Sequence, residues 1–147
     1  MFLYTIGFTK KTAEQFFEGI KYRRIQIMID IRLNNTSQMA GFTKKKDLSY
    51  FLETICGCKY EHCPEIAPTK EILTAWRKKS ITWPEYKEQY RALMTERKAV
   101  KHFVTCYHGV YESVCLLCSE PTPEHCHRRL FAEMIQEAKP DIEVIHI

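Results

Sequence analysis

The chain has 147 residues, 45% of them hydrophobic, a formal charge of +4 and seven cysteines. That length suits one domain over 1–147, with a core that needs no disulfide or metal, and the charge permits anionic partners without demanding them. An odd cysteine count argues against a closed disulfide framework, and the opening MFLYTIGFTKK has neither the basic n-region nor the cleavage site of a signal peptide, so free thiols, a cytoplasmic location and no membrane partner are expected.

FLYTIG at 2–7 reads as a short buried strand stopped by Gly7. Thr12 and Gln15 form a capping box ahead of Phe16, Phe17 and Ile20, the start of an amphipathic helix. IQIMIDIR at 25–32 alternates, with Ile25, Ile27, Ile29 and Ile31 on one face and Gln26, Met28, Asp30 and Arg32 on the other. Strand, helix, strand in that order predicts a right-handed βαβ unit with a parallel sheet. Leu48, Phe51, Leu52 and Ile55 recur at helical spacing up to Gly57, a suitable C-terminal stop.

KYEHCPEIAP at 59–68 is expected to be a loop, because its prolines forbid continuous regular structure. A short helix follows through Ile72, Leu73 and Trp76. Another starts at Thr82, with Pro84 in the first turn and Glu85 closing a capping box; its stripe of Trp83, Tyr86, Tyr90 and Leu93 reads as core rather than a base-stacking platform. AVKHFVTCYHG at 99–109 predicts a helix ending at Gly109, ESVCLLC at 112–118 a strand, and the chain closes with a helix to about Ala138 and the strand IEVIHI. The fold class is therefore α/β: a three-layer arrangement with a mostly parallel sheet of about four strands, helices on both faces and a helical insertion in the middle.

Chemistry concentrates in LLCSEPTPEHCHRR at 116–129. Cys115 and Cys118 look like half of a zinc site, but residues three apart in a strand face opposite ways, so Cys115 is assigned to the core. Thr122 is a good N-cap with Pro123 at the first helical position, which places His125, Cys126, His127 and Arg128 in the first turn and a half. His127 then aligns with Leu130, Phe131, Met134 and Ala138 on the face toward the sheet, and Arg129 points to solvent. A helix begins beside the carboxyl end of its own strand, so His127 should lie near Cys118 and Glu120.

A cysteine in a first helical turn, beside an arginine and histidines, should have its thiolate favoured; this is the expectation for Cys126. Backbone N–H groups there, together with Arg128, suit a phosphate or carboxylate. Asp30 and Arg32 meet the same crevice if their strand neighbours the later one. Each residue alone has an ordinary reading: a core histidine, a buried thiol, a salt bridge closing a strand. The functional case rests on their convergence. Cys56, Cys58, His62 and Cys63 match no zinc ribbon or finger spacing, and the runs Lys44-Lys45-Lys46 and Arg77-Lys78-Lys79 read as solvated faces.

The segments YTIGFT, IDIR, KYEHCPEI, LLCSE, CHR and VIHI, in that order, make the chain resemble the uncharacterised family known as domain of unknown function 488 over nearly its whole length. The family pattern has a histidine and serine where this chain has Phe8 and Thr9, and a Leu-Gly pair where it has Ile66 and Ala67. Carried over by position, the resemblance implies site residues at Asp30, Arg32, Tyr60, His62, Pro64, Glu65, Cys118, Glu120, Cys126, His127 and Arg128. It implies a fold and a shared pocket and supplies no activity.

The leading expectation is an enzyme-like pocket for an anionic ligand, a nucleotide or nucleic-acid component being of the right charge. Arg128, Arg32 and the helix start would hold the anion; Cys118 or Cys126 would be the nucleophile, with His127 as proton carrier and Glu120 or Asp30 orienting it. Tyr60, His62 and Glu65 are ligand-binding candidates through the resemblance. Two alternatives stand beside this: a non-catalytic module binding through the same pocket, and a metalloprotein in which Cys118, Cys126, His127 and His62 coordinate zinc or iron. No other cofactor is expected. Nucleic-acid binding and oligomeric state stay open.

Overall fold

A computed structural model describes residues 1–36 and 41–147. Among the described residues, five parallel strands form one sheet: β1 (Phe2–Gly7), β2 (Ile27–Asp30), β3 (Lys59–His62), β4 (Ser113–Cys118) and β5 (Glu143–His146), in the spatial order β3-β2-β4-β1-β5. The helices are α1 (Ala13–Tyr22), α2 (Lys45–Phe51), α3 (Lys70–Arg77), α4 (Trp83–Glu96), α5 (Ala99–Tyr107) and α6 (His127–Ala138). No helix among the described residues is long and apolar enough to cross a membrane.

Two cores flank the sheet, as a three-layer fold requires. On one side α4, α5 and α6 cover Ile27, Ile29, Leu116 and Val114 with Tyr90, Phe103 and Phe131. On the other, α1 and α2 cover Met28, Cys115 and Leu117 with Phe16, Phe17 and Leu48. Strands β2 and β4 are central, and both of their faces are buried. The capping boxes at Thr12–Gln15 and Thr82–Glu85 form as the sequence predicts, and all seven cysteines are free thiols.

The sheet has a fifth strand, because residues 59–62 of the expected loop pair with β2. It is an edge strand with charged residues on its exposed positions, Lys59 and Glu61, and Pro64 and Pro68 follow it rather than interrupt it. Prolines just past a strand end cost its ladder nothing. Ile25 lies before β2 begins; its N–H bonds back to the Ile20 carbonyl, and its side chain packs with α1 instead of sharing the face of Ile27. Gly57 closes α2 and the π-helical turn after it at φ 62°, but Ile55 in that turn is exposed.

The strand order sets where a crevice can form. From β2 the chain leaves toward β3 through α2, on one side of the sheet. From the neighbouring β4 it leaves toward β5 through α6, on the other side. Adjacent parallel strands whose connections diverge this way leave a gap beyond their carboxyl ends.

Candidate functional site

The last strand-to-helix corner lines that gap. The helix α6 starts one turn later than Thr122 suggests, with Cys126 as its N-cap and His127 as its first residue. Thr122 hydrogen-bonds Glu124 instead, and the Cys126 N–H bonds the Pro123 carbonyl in an isolated turn. Cys126 is extended (φ −130°, ψ 137°), which ends that turn before the helix begins. His127, Leu130, Phe131 and Met134 face inward as predicted, whereas Ala138 at the far end is exposed.

This start brings three groups together. The Cys118 sulfur at the end of β4 lies 3.8 Å from both ring nitrogens of His127. The Cys126 sulfur is part of the same cluster, all three donor atoms lying within 4.8 Å of one another. His127 Nε2 is 3.0 Å from the Ile31 carbonyl oxygen, which can only accept, so Nε2 carries a proton and Nδ1 is left to exchange one with Cys118. The ring packs on Tyr90, centroids 5.6 Å apart.

The expectation for an activated thiol fell on Cys126, whereas the bonds within the cluster favour Cys118. Cys118 is held well below the usual thiol range: the Cys126 S–H donates to it, the charge of a protonated His127 faces it and the Glu120 N–H bonds it, which together outweigh burial. Burial and the bond it gives to Cys118 push Cys126 well up. Two adjacent sulfurs share one negative charge, and it settles on the one that receives the donors. Burial alone would pull His127 down, but the Cys118 sulfur and the Ile31 carbonyl raise it. In Cys58 and Cys63 burial outweighs the bonds that would lower them, and both are pushed up to about 12.

Cys118, Cys126 and His127 form part of the wall of a cavity of about 250 Å³ at the β2/β4 switch. Across it stand Lys70, Trp76 and Arg77 of α3, with Glu120 and His125 at the corner. The sequence reading did not single out Lys70; it took Arg77 for part of a solvated face and placed Trp76 only in a short helix. The basic run 77–79 was the only signal. The aromatic stripe of α4 is largely core as predicted: Tyr86 and Tyr90 are buried, and Trp83 stacks on Tyr86 at 5.1 Å. Trp76 and Trp83 are half-buried and enclose His125, with centroids 6.0 and 5.0 Å from its ring.

The chain matches the family described as domain of unknown function DUF488 over residues 12–135. It belongs to that family. No curated protein and no solved structure matches it.

The positions carried over from the DUF488 pattern fall into two groups. Cys118, Glu120, Cys126 and His127 face the cavity; Arg32 reaches it from the end of β2. Glu120 is exposed, and its backbone carbonyl takes a 2.6 Å hydrogen bond from Arg128 Nη1. Arg128 itself is 1% exposed and does not line the cavity; its Nη1 also donates to the Cys126 sulfur at 3.4 Å, and its Nε is buried without a partner. The expected anion-holding arginine is therefore a brace behind the corner.

Asp30 of this DUF488 chain is fully buried on the opposite side of the sheet from Cys118, so it does not orient His127. Its carboxylate accepts two bonds from the Arg32 guanidinium, at 2.8 and 2.7 Å, one from the Arg32 backbone N–H at 3.2 Å and one from the Tyr60 hydroxyl at 2.7 Å. Arg32 also donates to the Thr43 carbonyl at 2.8 Å and lies over the Phe8 ring, which uses most of its guanidinium. His62 sits 2.9 Å from the Arg32 carbonyl and Glu65 is exposed; neither they nor Tyr60 line the cavity. As potential metal donors, the two sulfurs and the imidazole converge, and among the described residues His62 does not join them.

Proposed function

We propose that this DUF488 protein is an enzyme that uses Cys118 as a nucleophile on an anionic small-molecule substrate, with a nucleotide among the ligands of suitable charge and size. The observation that supports this best is the position of the Cys118 sulfur, in the cavity wall and against both the His127 ring and the Cys126 thiol. A thiolate there attacks an electrophilic centre of the substrate, and His127, protonated at Nδ1, gives that proton to the leaving group. Lys70 and Arg77 on the facing helix attract the anion.

The test is residue-resolved alkylation by iodoacetamide at neutral pH. Cys118 labels at least about tenfold faster than the exposed Cys106, and pyrophosphate slows that labelling in the wild type but not in a Lys70→Ala, Arg77→Ala double variant. Equal, slow labelling of all seven thiols ends the proposal. A second reading rests on the same three donors: zinc or iron(II) bound by Cys118, Cys126 and His127 with a position open to the cavity. Metal analysis of the purified protein decides it, since a bound ion in near-stoichiometric amount would displace the thiol proton that Cys126 donates.

A further inference from the structure

Attack on an anionic substrate needs one sulfur, yet two face this cavity. Cys126 is 2% exposed, lines the same wall as Cys118 and has its sulfur within 4.8 Å of it. A disulfide needs the sulfurs about 2 Å apart. Rotating one cysteine between staggered χ1 positions moves its sulfur by about 3 Å, enough to close the gap. The rotation leaves regular structure intact. Cys126 is the extended N-cap, preceded by the irregular segment 119–125, so neither sheet nor helix has to break. Arg128 Nη1, 3.4 Å from the Cys126 sulfur, steadies negative charge that develops there.

We propose that Cys118 and Cys126 are an attacking and a resolving pair, through which the protein reduces small hydroperoxides by way of an intramolecular disulfide. This rests on Cys118 being the nucleophile, as in the reading above. The Cys118 sulfur attacks the terminal oxygen of the hydroperoxide: an S–O bond forms, the O–O bond breaks, and the alkoxide takes a proton from His127 and leaves as an alcohol (as water when the oxidant is hydrogen peroxide). Cys118 is now a sulfenic acid, oxidised by two electrons. The Cys126 sulfur then attacks it; an S–S bond forms, the S–O bond breaks, and the hydroxide leaves as water with the Cys126 proton. Two equivalents of a small thiol restore the dithiol. The first attacks the Cys126 sulfur and expels Cys118, the better leaving group, and the second attacks the resulting mixed disulfide, releasing Cys126 and a small disulfide.

The experiment treats the full-length reduced protein with stoichiometric hydrogen peroxide, then maps it by mass spectrometry. The wild type loses two hydrogens and yields a peptide linked through Cys118 and Cys126. Cys126→Ser cannot resolve, so its Cys118 accumulates as a dimedone-trappable sulfenic acid and goes on to gain two oxygens. With dithiothreitol present, peroxide consumption by the wild type exceeds that of Cys118→Ser at least about tenfold. If Cys118 alkylates fast but no linked peptide forms in the wild type, the redox pairing is wrong and the nucleophile reading stands. If Cys118 neither alkylates nor oxidises ahead of Cys106, both fall.

Discussion

His127 Nε2 lies 3.0 Å from the Ile31 carbonyl oxygen, so the first residue of α6 is fastened to the carboxyl end of β2. That bond fixes which ring nitrogen carries a proton and leaves the other, 3.8 Å from the Cys118 sulfur, free to exchange one. The Ile31 N–H in turn bonds the Leu117 carbonyl, one residue before Cys118. The strands that diverge at this point are stitched together by the residue expected to move protons.

The pH dependence of Cys118 alkylation follows from its depressed native pKa. A lowered pKa keeps the thiolate populated below the ordinary thiol range of about 8.5, so the rate stays near its plateau at neutral pH and falls only in acid. In His127→Asn and in Cys126→Ser the fall shifts to higher pH, since each removes a group that holds the charge. A rate profile from pH 5 to 9 (on the order of one point per half unit) reads this directly. The stability linkage has matching signs. The Cys118 contribution is fully present above its unfolded pKa and is lost as pH falls through the native one. The His127 contribution is present below its unfolded value and is lost as pH rises through its raised native one. The ion pair therefore stabilises the fold between the two native values.

Gly7→Ala should be among the most damaging single substitutions. A Cβ at Gly7 would lie 1.6 Å from the Glu120 carbonyl oxygen and 3.0 Å from Arg128 Nη1. Relief requires the segment after β4 to move off β1, taking the Arg128 brace with it. The expected loss is about 4 kcal/mol or more, or no soluble protein, by chemical denaturation or expression yield. Gly19→Ala is the control, its Cβ meeting only the flexible Arg23 side chain at 3.6 Å.

Asp30→Asn should cost far more than Tyr60→Phe. The first leaves the Arg32 guanidinium, 3% exposed, without its counter-charge, a loss of about 3–5 kcal/mol. The second removes one hydroxyl donor while the Asp30–Arg32 pair remains, a loss of about 1.5–3 kcal/mol. Urea unfolding monitored by tryptophan fluorescence separates them, and a larger loss in Tyr60→Phe would show that the hydroxyl, not the ion pair, carries the network.

Arg128→Lys should destabilise the protein by about 2–3 kcal/mol despite keeping the charge, because the shorter lysine ends one bond before the Nη1 position that serves both the Glu120 carbonyl and the Cys126 sulfur. Pyrophosphate protection of Cys118 should persist in that variant, as Arg128 does not line the cavity. Loss of protection with unchanged stability would return Arg128 to the anion site.

Local signals were enough for the helices and for the inner strands. Thr12–Gln15 and Thr82–Glu85 are capping boxes whose donors and acceptors lie within one turn, and residues 114–118 form an apolar run that suits a strand buried on both faces. The closeness of Cys118 and His127 was legible for the same reason, since nine residues separate them across a single strand-to-helix corner. β3 was not, because an edge strand buries little and its alternation of exposed and half-buried residues looks like a loop.

Sequence alone thus determined the α/β class, the thiol-rich corner and the family pattern, all of which depend on spacing along the chain. Tertiary structure decided the rest. Register places Asp30 opposite Leu117 and turns its carboxylate away from Cys118, although both stand at neighbouring strand ends. The strand order brings Lys70 and Arg77 to the cavity from some forty residues upstream of the corner. Which sulfur holds the charge depends on donors from Ile31-tethered His127, Glu120 and Cys126, and a charge goes where bonds converge in space, which spacing along the chain does not record.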